Sequence, residues 1–296
     1  VTGVVAGSVI DRNSNKPLRE RKSLGSGYGE VAYMGDRYQM DNDRLDMLQE
    51  LINKFNQAKT PDQRAALDDI INYIVDDMRQ VLLAPHKRMD IVDGDLRSDG
   101  KASVKVDDNP QGIELLEMEL PVHRITPQVA DKLNFVRYLM EKTVELRTKF
   151  GMFVSMEMSR RTFINSIIGS KDFGDFYKQS FDSKEVRLSA GLMSSEMATT
   201  IFRGLGLPPI VINEDLVELS DGTFKQVFKD NRISLFTTPK QGKMRWHTPY
   251  EITDPVPGKT YTRSEGGMYI SNIRTDEGRF MEYGAEWIPE FTSPNK

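Results

Sequence analysis

Four short fragments of this chain carry the residue types that phosphoryl transfer uses. Leu24-Gly25-Ser26-Gly27-Tyr28-Gly29-Glu30-Val31 reads like a glycine-rich loop over ATP phosphates, His123-Arg124 like the start of a catalytic loop, Asp172-Phe173-Gly174 like a magnesium-binding tripeptide, and Ile288-Pro289-Glu290 like the end of an activation segment. Their order is that of a protein kinase. The chemistry does not follow from it. The third glycine comes one position early, Ile125 stands where a catalytic Asp is needed, helical periodicity rather than a lysine-bearing strand follows the glycines, and 49 residues separate His123 from Asp172. The glycines read instead as a flexible turn, and no nucleotide binding is expected.

Other reactive arrangements fail in the same way. Asp90, Asp93, Asp95 and Asp99 suggest a calcium loop, yet Gly94 adjoins Asp95 and no glutamate holds the twelfth position, so a solvated acidic loop is expected. Cysteine is absent, which removes disulfides, thiolate zinc sites and a thiol nucleophile. His86, His123 and His247 are too far apart in sequence for a helix-borne two-histidine metal site, and no Gly-x-Ser-x-Gly elbow occurs. No catalytic residue, cofactor site or metal site is therefore expected, and the chain reads as a protein that is not an enzyme. A nucleotide-dependent enzyme using Gly25–Gly29 is the best enzymatic alternative.

Composition points the same way. The 296 residues carry 40 Lys+Arg against 44 Asp+Glu, a net charge of −4, with 38% hydrophobic residues. A mean hydropathy of −0.49 is lean for a single-core enzyme, while the aliphatic and Phe content is too high for a disordered chain. A folded protein with much surface exposed or covered by partners is expected. The acidic balance argues against a dedicated nucleic-acid binder. Apolar runs such as Ile70-Ile71 and Ile74-Val75 fall far short of the ~20 residues a membrane span needs. Val4-Val5 and Val9-Ile10 are split by Gly7 and Ser8, which does not read as a secretory leader.

The elements that position these residues form an α+β chain without internal repeats. Residues 1–23 hold five basic residues (Arg12, Lys16, Arg19, Arg21, Lys22) against Asp11 and Glu20, an extended basic arm. Leu45, Leu48, Ile52 and Phe55 behind Asp41 and Asp43 mark one helix. Thr60-Pro61-Asp62-Gln63 opens a second, whose stripe of Leu67, Ile70, Ile71, Ile74, Met78, Val81 and Leu82 is expected to stop at Pro85. Residues 102–106 and 113–123 read as strands joined by the polar tip 107–112, with Leu116, Met118, Leu120 and Val122 on one face. Thr126-Pro127 signals a long helix to Phe150 carrying Val129, Leu133, Val136, Met140 and Val144, and a further helix is expected to hold Met156, Phe163, Ile164 and Ile167 and to end at Gly169. After Ser194 a short helix runs to Phe202. Short strands then follow at 210–212, 224–228, 233–237, 243–247, 268–273 and 279–283, with a turn at 275–278.

An arm, a tipped hairpin, a rod-like helix, a compact α/β insertion and returning strands, in that order, resemble the Hong Kong 97-type fold of tailed-bacteriophage major capsid proteins. Gly206-Leu207-Pro208-Pro209-Ile210-Val211-Ile212-Asn213-Glu214, Asp221-Gly222-Thr223 and Asp230-Asn231-Arg232-Ile233-Ser234-Leu235-Phe236 resemble the lambda-type major head protein group. Gly266-Gly267-Met268 through Pro289-Glu290 is similar to its closing strands. The likeness covers 88–292 as an ordering, and 206–250 and 266–290 at residue level.

The resemblance implies an N-terminal arm at 1–35, an extended loop at 89–124, a peripheral domain with a spine helix at 125–193, an axial domain at 194–253 and returning peripheral strands at 254–296. The helical hairpin at 36–88 would be an elaboration of the arm or an insertion. It further implies hexamers and pentamers of an icosahedral shell around packaged double-stranded DNA, with portal and scaffold or decoration proteins as partners. Such a protein would reside in the virion after assembly in the host cytoplasm. Another virion subunit, of a tail tube or connector, is the alternative within this class. Expected inter-subunit contacts are Arg12, Lys16, Arg19, Arg21 and Lys22 of the arm, and Lys101, Lys105, Asp107, Asp108 and Asn109 of the loop. Lys101 and Lys105 also stand where some family members form a lysine–asparagine crosslink, which is not expected here.

Overall fold

The structure, a computed structural model, describes residues 9–10, 32–104, 109, 115–120, 122–128, 132–181 and 194–291. Strands β1 (Val9–Ile10) and β2 (Ala32–Met34) pair antiparallel, and β3 (Arg37–Met40) follows. The chain then leaves the sheet as a two-helix finger. Asp41 caps α1 (Asn42–Gln57) by accepting the Arg44 amide at 2.9 Å, and Ala58-Lys59 turn it back into α2 (Thr60–Asp99). Leu45, Leu48, Ile52 and Phe55 lie half-buried between the two helices, as their spacing demands. The Tyr73 hydroxyl closes the pair by donating to the Arg44 carbonyl at 3.2 Å.

Helix α2 corrects two expectations. It runs for 40 residues straight through Pro85, and Asp90, Asp93, Asp95 and Asp99 lie on it rather than in a solvated loop. At ~1.5 Å per residue it is a rod of ~60 Å. An internal proline costs about 3 kcal/mol by removing one amide donor and crowding the preceding turn. Burial offsets that cost, because Val81, Ala84, Met89, Val92 and Leu96 enter a core with Met34, Tyr283, Ala285 and Trp287. Each large apolar side chain buried there contributes about 1.5–3 kcal/mol. The boundary expected between 88 and 89 thus falls inside one helix.

Gly94 shows how closely α2 is approached. A methyl group on it would stand 2.2 Å from the Val227 carbonyl oxygen and 2.4 Å from the Val227 side chain. Alanine normally favours a helix by about 1 kcal/mol over glycine, but forced overpacking costs about 1–3 kcal/mol. Gly94→Ala is therefore expected to lower stability, by up to about 2 kcal/mol, in urea denaturation. A stabilised variant would show that the Val227 segment shifts freely.

Strands β4 (Lys101–Val104) and β5 (Leu115–Glu119) form the expected hairpin, with Ala102 opposite Met118. Ala102 and Val104 are buried, and Met118 and Leu120 pack on the same core. The rod expected at 126–150 is shorter: residues 122–128 are irregular and α3 spans Phe135–Phe150. Its buried face is Phe135, Val136, Leu139, Thr143 and Leu146, while Leu133 and Val144 are exposed. The longest helix is thus α2. Met156 lies on a strand, β6 (Ser155–Ser159), not on a helix. Ser159 caps α4 (Arg160–Thr162), which widens into a π-turn at Phe163–Ile168 before α5 (Lys171–Phe181).

Ser194 caps α6 (Ser195–Gly204), and β7 (Ile210–Asn213) runs parallel to β6. β8 (Leu216–Glu218) and β9 (Phe224–Gln226) form a hairpin over the Asp221-Gly222 turn, whose Asp221 carboxylate accepts the Thr223 amide at 2.9 Å. β10 (Ile233–Phe236) completes a three-stranded sheet in the order β10-β6-β7. Its core is Phe135, Val136, Leu139, Met156, Met158, Phe163, Ile167, Phe173, Phe202 and their neighbours.

The remaining strands belong to the larger sheet. β11 (Gly242–His247), the short helix α7 (Tyr250–Thr253), β12 (Thr260–Arg263) and β13 (Tyr269–Thr275) precede β14 (Gly278–Phe291), which turns back at the expected 275–278. β14 is 14 residues long and pairs with β13, β3, β2 and β11 in successive stretches. It is the axis of a seven-stranded sheet. The two cores therefore divide the chain differently from the expected segments. β6 from 125–193 shares its sheet with β7 and β10, while β11 from 194–253 is bonded into the large sheet with β14.

Candidate assembly surfaces

Acidic and tyrosine side chains collect along β14, where chemistry would have been sought. Glu282, fully buried, receives Arg37, the Lys259 ammonium at 2.6 Å and the Ser271 hydroxyl at 3.4 Å. The Tyr283 hydroxyl donates to Asp36, and Glu286 meets His247 Nδ1 at 2.7 Å. Tyr33 and Tyr269 place their hydroxyls 2.9 Å apart, and both donate to Glu251. Burial, reinforced by the Glu251 charge, pushes the Tyr33 hydroxyl far above its usual pKa and keeps it a neutral donor. Glu282 and Glu286 are fully enclosed, and each carboxylate named here is met by a Lys or Arg side chain, an imidazole or a hydroxyl. These groups brace strands; they are not presented to a substrate.

The acids of α2 are engaged in the same manner. Arg97 lies across Glu157 at 2.6 and 2.7 Å and donates to Asp93 at 2.7 Å, and Asn213 adds an amide to Glu157 at 3.0 Å. Burial raises the Asp93 carboxyl above its usual pKa against the pull of Arg97. Burial also opposes the Arg97 cation, but Asp93 and Glu157 outweigh it and hold the guanidinium more firmly protonated than usual. Asp95 meets Lys229 at 3.3 Å, and Asp99 meets Arg232 at 3.1 Å and Lys229 at 3.4 Å. Through these pairs the end of α2 joins the large sheet to the three-stranded one. Among the described residues no group of three or more His, Asp or Glu is placed to hold a metal ion.

The kinase-like fragments scatter as well. Gly25–Gly29 lie outside the described residues. Asp172 is buried and accepts the Arg137 amide at 2.8 Å, so it caps α3 from a different helix. Phe173 is core, the His123 ring sits 5.7 Å from Phe150, and Pro289 pairs with Met244 inside the sheet.

What the structure presents outward is surface for contact. Of the expected contact residues, Arg12, Lys16, Arg19, Arg21, Lys22, Lys105, Asp107 and Asp108 lie outside the described residues. Lys101 is on β4, partly exposed, with its ammonium 2.9 Å from Glu119 across the hairpin. Asn109 is only 1% exposed, so it is enclosed within the subunit rather than presented at a solvent-facing tip. Met152 is exposed while Met156 and Met158 are fully buried.

Two exposed apolar surfaces escaped the sequence reading. On the finger, Ile70 and Tyr73 turn toward α1, which leaves Leu67, Ile71, Ile74 and Met78 outward, at 42%, 45%, 36% and 41% exposure. The signal was in the stripe itself, which holds more apolar residues than one partner helix can cover. On the sheet, β11 exposes Met244 and Trp246 (55%), with Tyr250 just beyond. No helix among the described residues is long and apolar enough to cross a membrane.

Compared by sequence, the chain matches no protein-family model and no curated protein. Compared by structure, it is similar to the crystal structure of a prophage protein of E. coli CFT073, provisionally designated its capsid protein. The two share 14% identity, and the alignment covers 90% of this chain and 75% of that one with a TM-score of 0.53. The mixed helix-and-sheet architecture is thus capsid-like in fold.

Proposed function

We propose that this chain is a major capsid protein, a structural subunit that self-assembles into the icosahedral head shell of a tailed phage around double-stranded DNA. The observation that carries the reading is the alignment of 90% of the chain on a capsid-like fold. The finer assignment to the Hong Kong 97 type and its lambda-like group rests on the residue patterns at 206–250 and 266–290.

In this reading the large sheet with the second half of α2 is the peripheral domain, with α2 rather than α3 as its spine. The unit built on β6, β7 and β10 is the axial domain. Shell cohesion comes from many subunit contacts, which together bury more area per subunit than the ~1,600 Å² of a standard stable interface. The modest negative charge suits a container that encloses DNA without gripping it. Hexamers and pentamers, a portal, scaffold or decoration partners and residence in the virion belong to this proposal.

Electron microscopy of the purified full-length protein tests it. Closed shells are the expected result. Tubes or stacked rings would move the protein to a tail tube or connector, and dispersed globules at high concentration would remove the shell reading.

A further inference from the structure

We propose that the helical finger pivots as a rigid lever on the turn 81–85 of α2, and that this pivot lets one chain meet its neighbours at more than one angle. The role in assembly rests on the shell reading, whereas the pivot itself does not.

The finger holds together as one body. Leu45, Leu48, Ile52 and Phe55 of α1 lie half-buried against α2, the Tyr73 hydroxyl donates to the Arg44 carbonyl at 3.2 Å, and the Arg44 guanidinium stands 5.7 Å over the Tyr73 ring. No described side chain from 41 to 80 is buried, while Val81 and Ala84 are both fully enclosed. The boundary between finger and body therefore falls within one turn of helix.

That turn is weakened by its own sequence. Pro85 has no amide to give to the Val81 carbonyl, and its ring crowds the same carbonyl, so α2 is one hydrogen bond short where it enters the body. Sharp bends in long helices concentrate at such points. Past it the helix is fixed. The His86 ring stands 4.6 Å from the Trp287 ring, and Met89, Val92 and Leu96 belong to the core.

The other root is Asp41. Strand β3 is held by its ladder to β14 as far as Met40, and the Gln39 side chain donates to the Glu277 carbonyl at 3.0 Å. Asp41 lies between ladder and helix in an extended conformation, and the Leu45 and Arg44 amides that it accepts both belong to α1. A small rotation about its N–Cα bond moves the finger without breaking either bond. Both roots rest on β14, through β3 and through the core around Tyr283, Ala285 and Trp287, so together they define one axis.

At ~1.5 Å per residue the stretch 60–80 is a lever of ~30 Å, and a bend of ~10° at its root carries the tip ~5 Å. Hexamers and pentamers set the same subunit against its neighbours at different angles. Close-packed cores resist such changes, whereas a hinge of a few residues absorbs them.

The chain has no cysteine, so spin labels can be placed one pair at a time on the full-length protein. One pair spans the roots, Asn56→Cys with Thr262→Cys, and one lies within the finger, Asp43→Cys with Asn56→Cys, all at exposed positions. Labelled copies are diluted in unlabelled protein so that each distance belongs to one copy. Double electron–electron resonance should give a distance distribution across the roots about twice as wide as that within the finger, or wider. Pro85→Ala restores the missing amide. It should narrow the first distribution toward the second with circular dichroism near that of the parent, and it should lower the yield of closed shells in electron microscopy.

A distribution across the roots as narrow as the internal one would overturn the pivot, and that comparison does not depend on the Pro85 variant folding. So would an internal distribution as wide as the other, which would show the two helices splaying, or a width that Pro85→Ala leaves unchanged. Undiminished shell yield from a narrowed Pro85→Ala protein would remove the pivot's role in assembly. A pivoting finger in a protein that forms no shells would reject the shell reading and keep the pivot, and closed shells with a narrow distribution would do the reverse.

Discussion

Replacing Arg97 with alanine is expected to destabilise the subunit by about 3–5 kcal/mol, the cost of leaving a buried carboxylate without its cation. Glu157 is 4% exposed, and Arg97 engages both of its oxygens; the Asn213 amide is the one other donor described at that carboxylate. The same substitution also strips Asp93 of its partner. An exposed ion pair would be worth no more than about 1 kcal/mol, so the size of the loss separates a buried anchor from a surface ornament.

Arg97 also sits between the two cores, on a helix of the large sheet facing a strand of the small one. Urea unfolding of Arg97→Ala should therefore broaden toward two transitions. Adding Glu157→Gln to the variant should restore part of the loss by removing the stranded charge. A loss below 1 kcal/mol with a single sharp transition would show that the two cores are held together elsewhere.

Gly284→Ala is the second large effect, expected at about 3 kcal/mol. The added methyl group would lie 2.4 Å from the Tyr269 ring and 2.6 Å from the Tyr33 hydroxyl oxygen. Both rings are enclosed, so neither can swing into solvent. Overpacking of this kind costs about 1–3 kcal/mol. Displaced rings would also lose their hydrogen bonds to the Glu251 carboxylate, each worth about 1.5–3 kcal/mol to a charged acceptor. Thermal melting reads the sum. Tyr269→Leu combined with Gly284→Ala should lose less than the two changes added, since the smaller side chain vacates the contested space. Strict additivity would place the strain elsewhere in β14.

Much of the local structure was determined by the sequence itself. Asp41 and Ser194 cap the helices they precede, and Asp221-Gly222 and residues 275–278 make the turns their chemistry demands. The half-buried faces of the finger follow the helical period. Each of these depends on residues within a turn or two of one another, where side-chain length and backbone preference decide the outcome.

The tertiary structure decided the rest. Helix α2 continues past Pro85 because its later half is buried against β14, a stabilisation supplied by residues nearly 200 positions away in the chain. Helix α3 begins at Phe135 rather than at the Thr126-Pro127 signal, where Asp172 supplies its cap from α5. Met156, read as helical, is drawn into a strand between β7 and β10. The outward ridge of the finger is apolar in the sequence, yet only the packing shows which of its residues α1 leaves uncovered. In every case local preference amounts to about 1–3 kcal/mol, and burial of several side chains against a distant partner exceeds it.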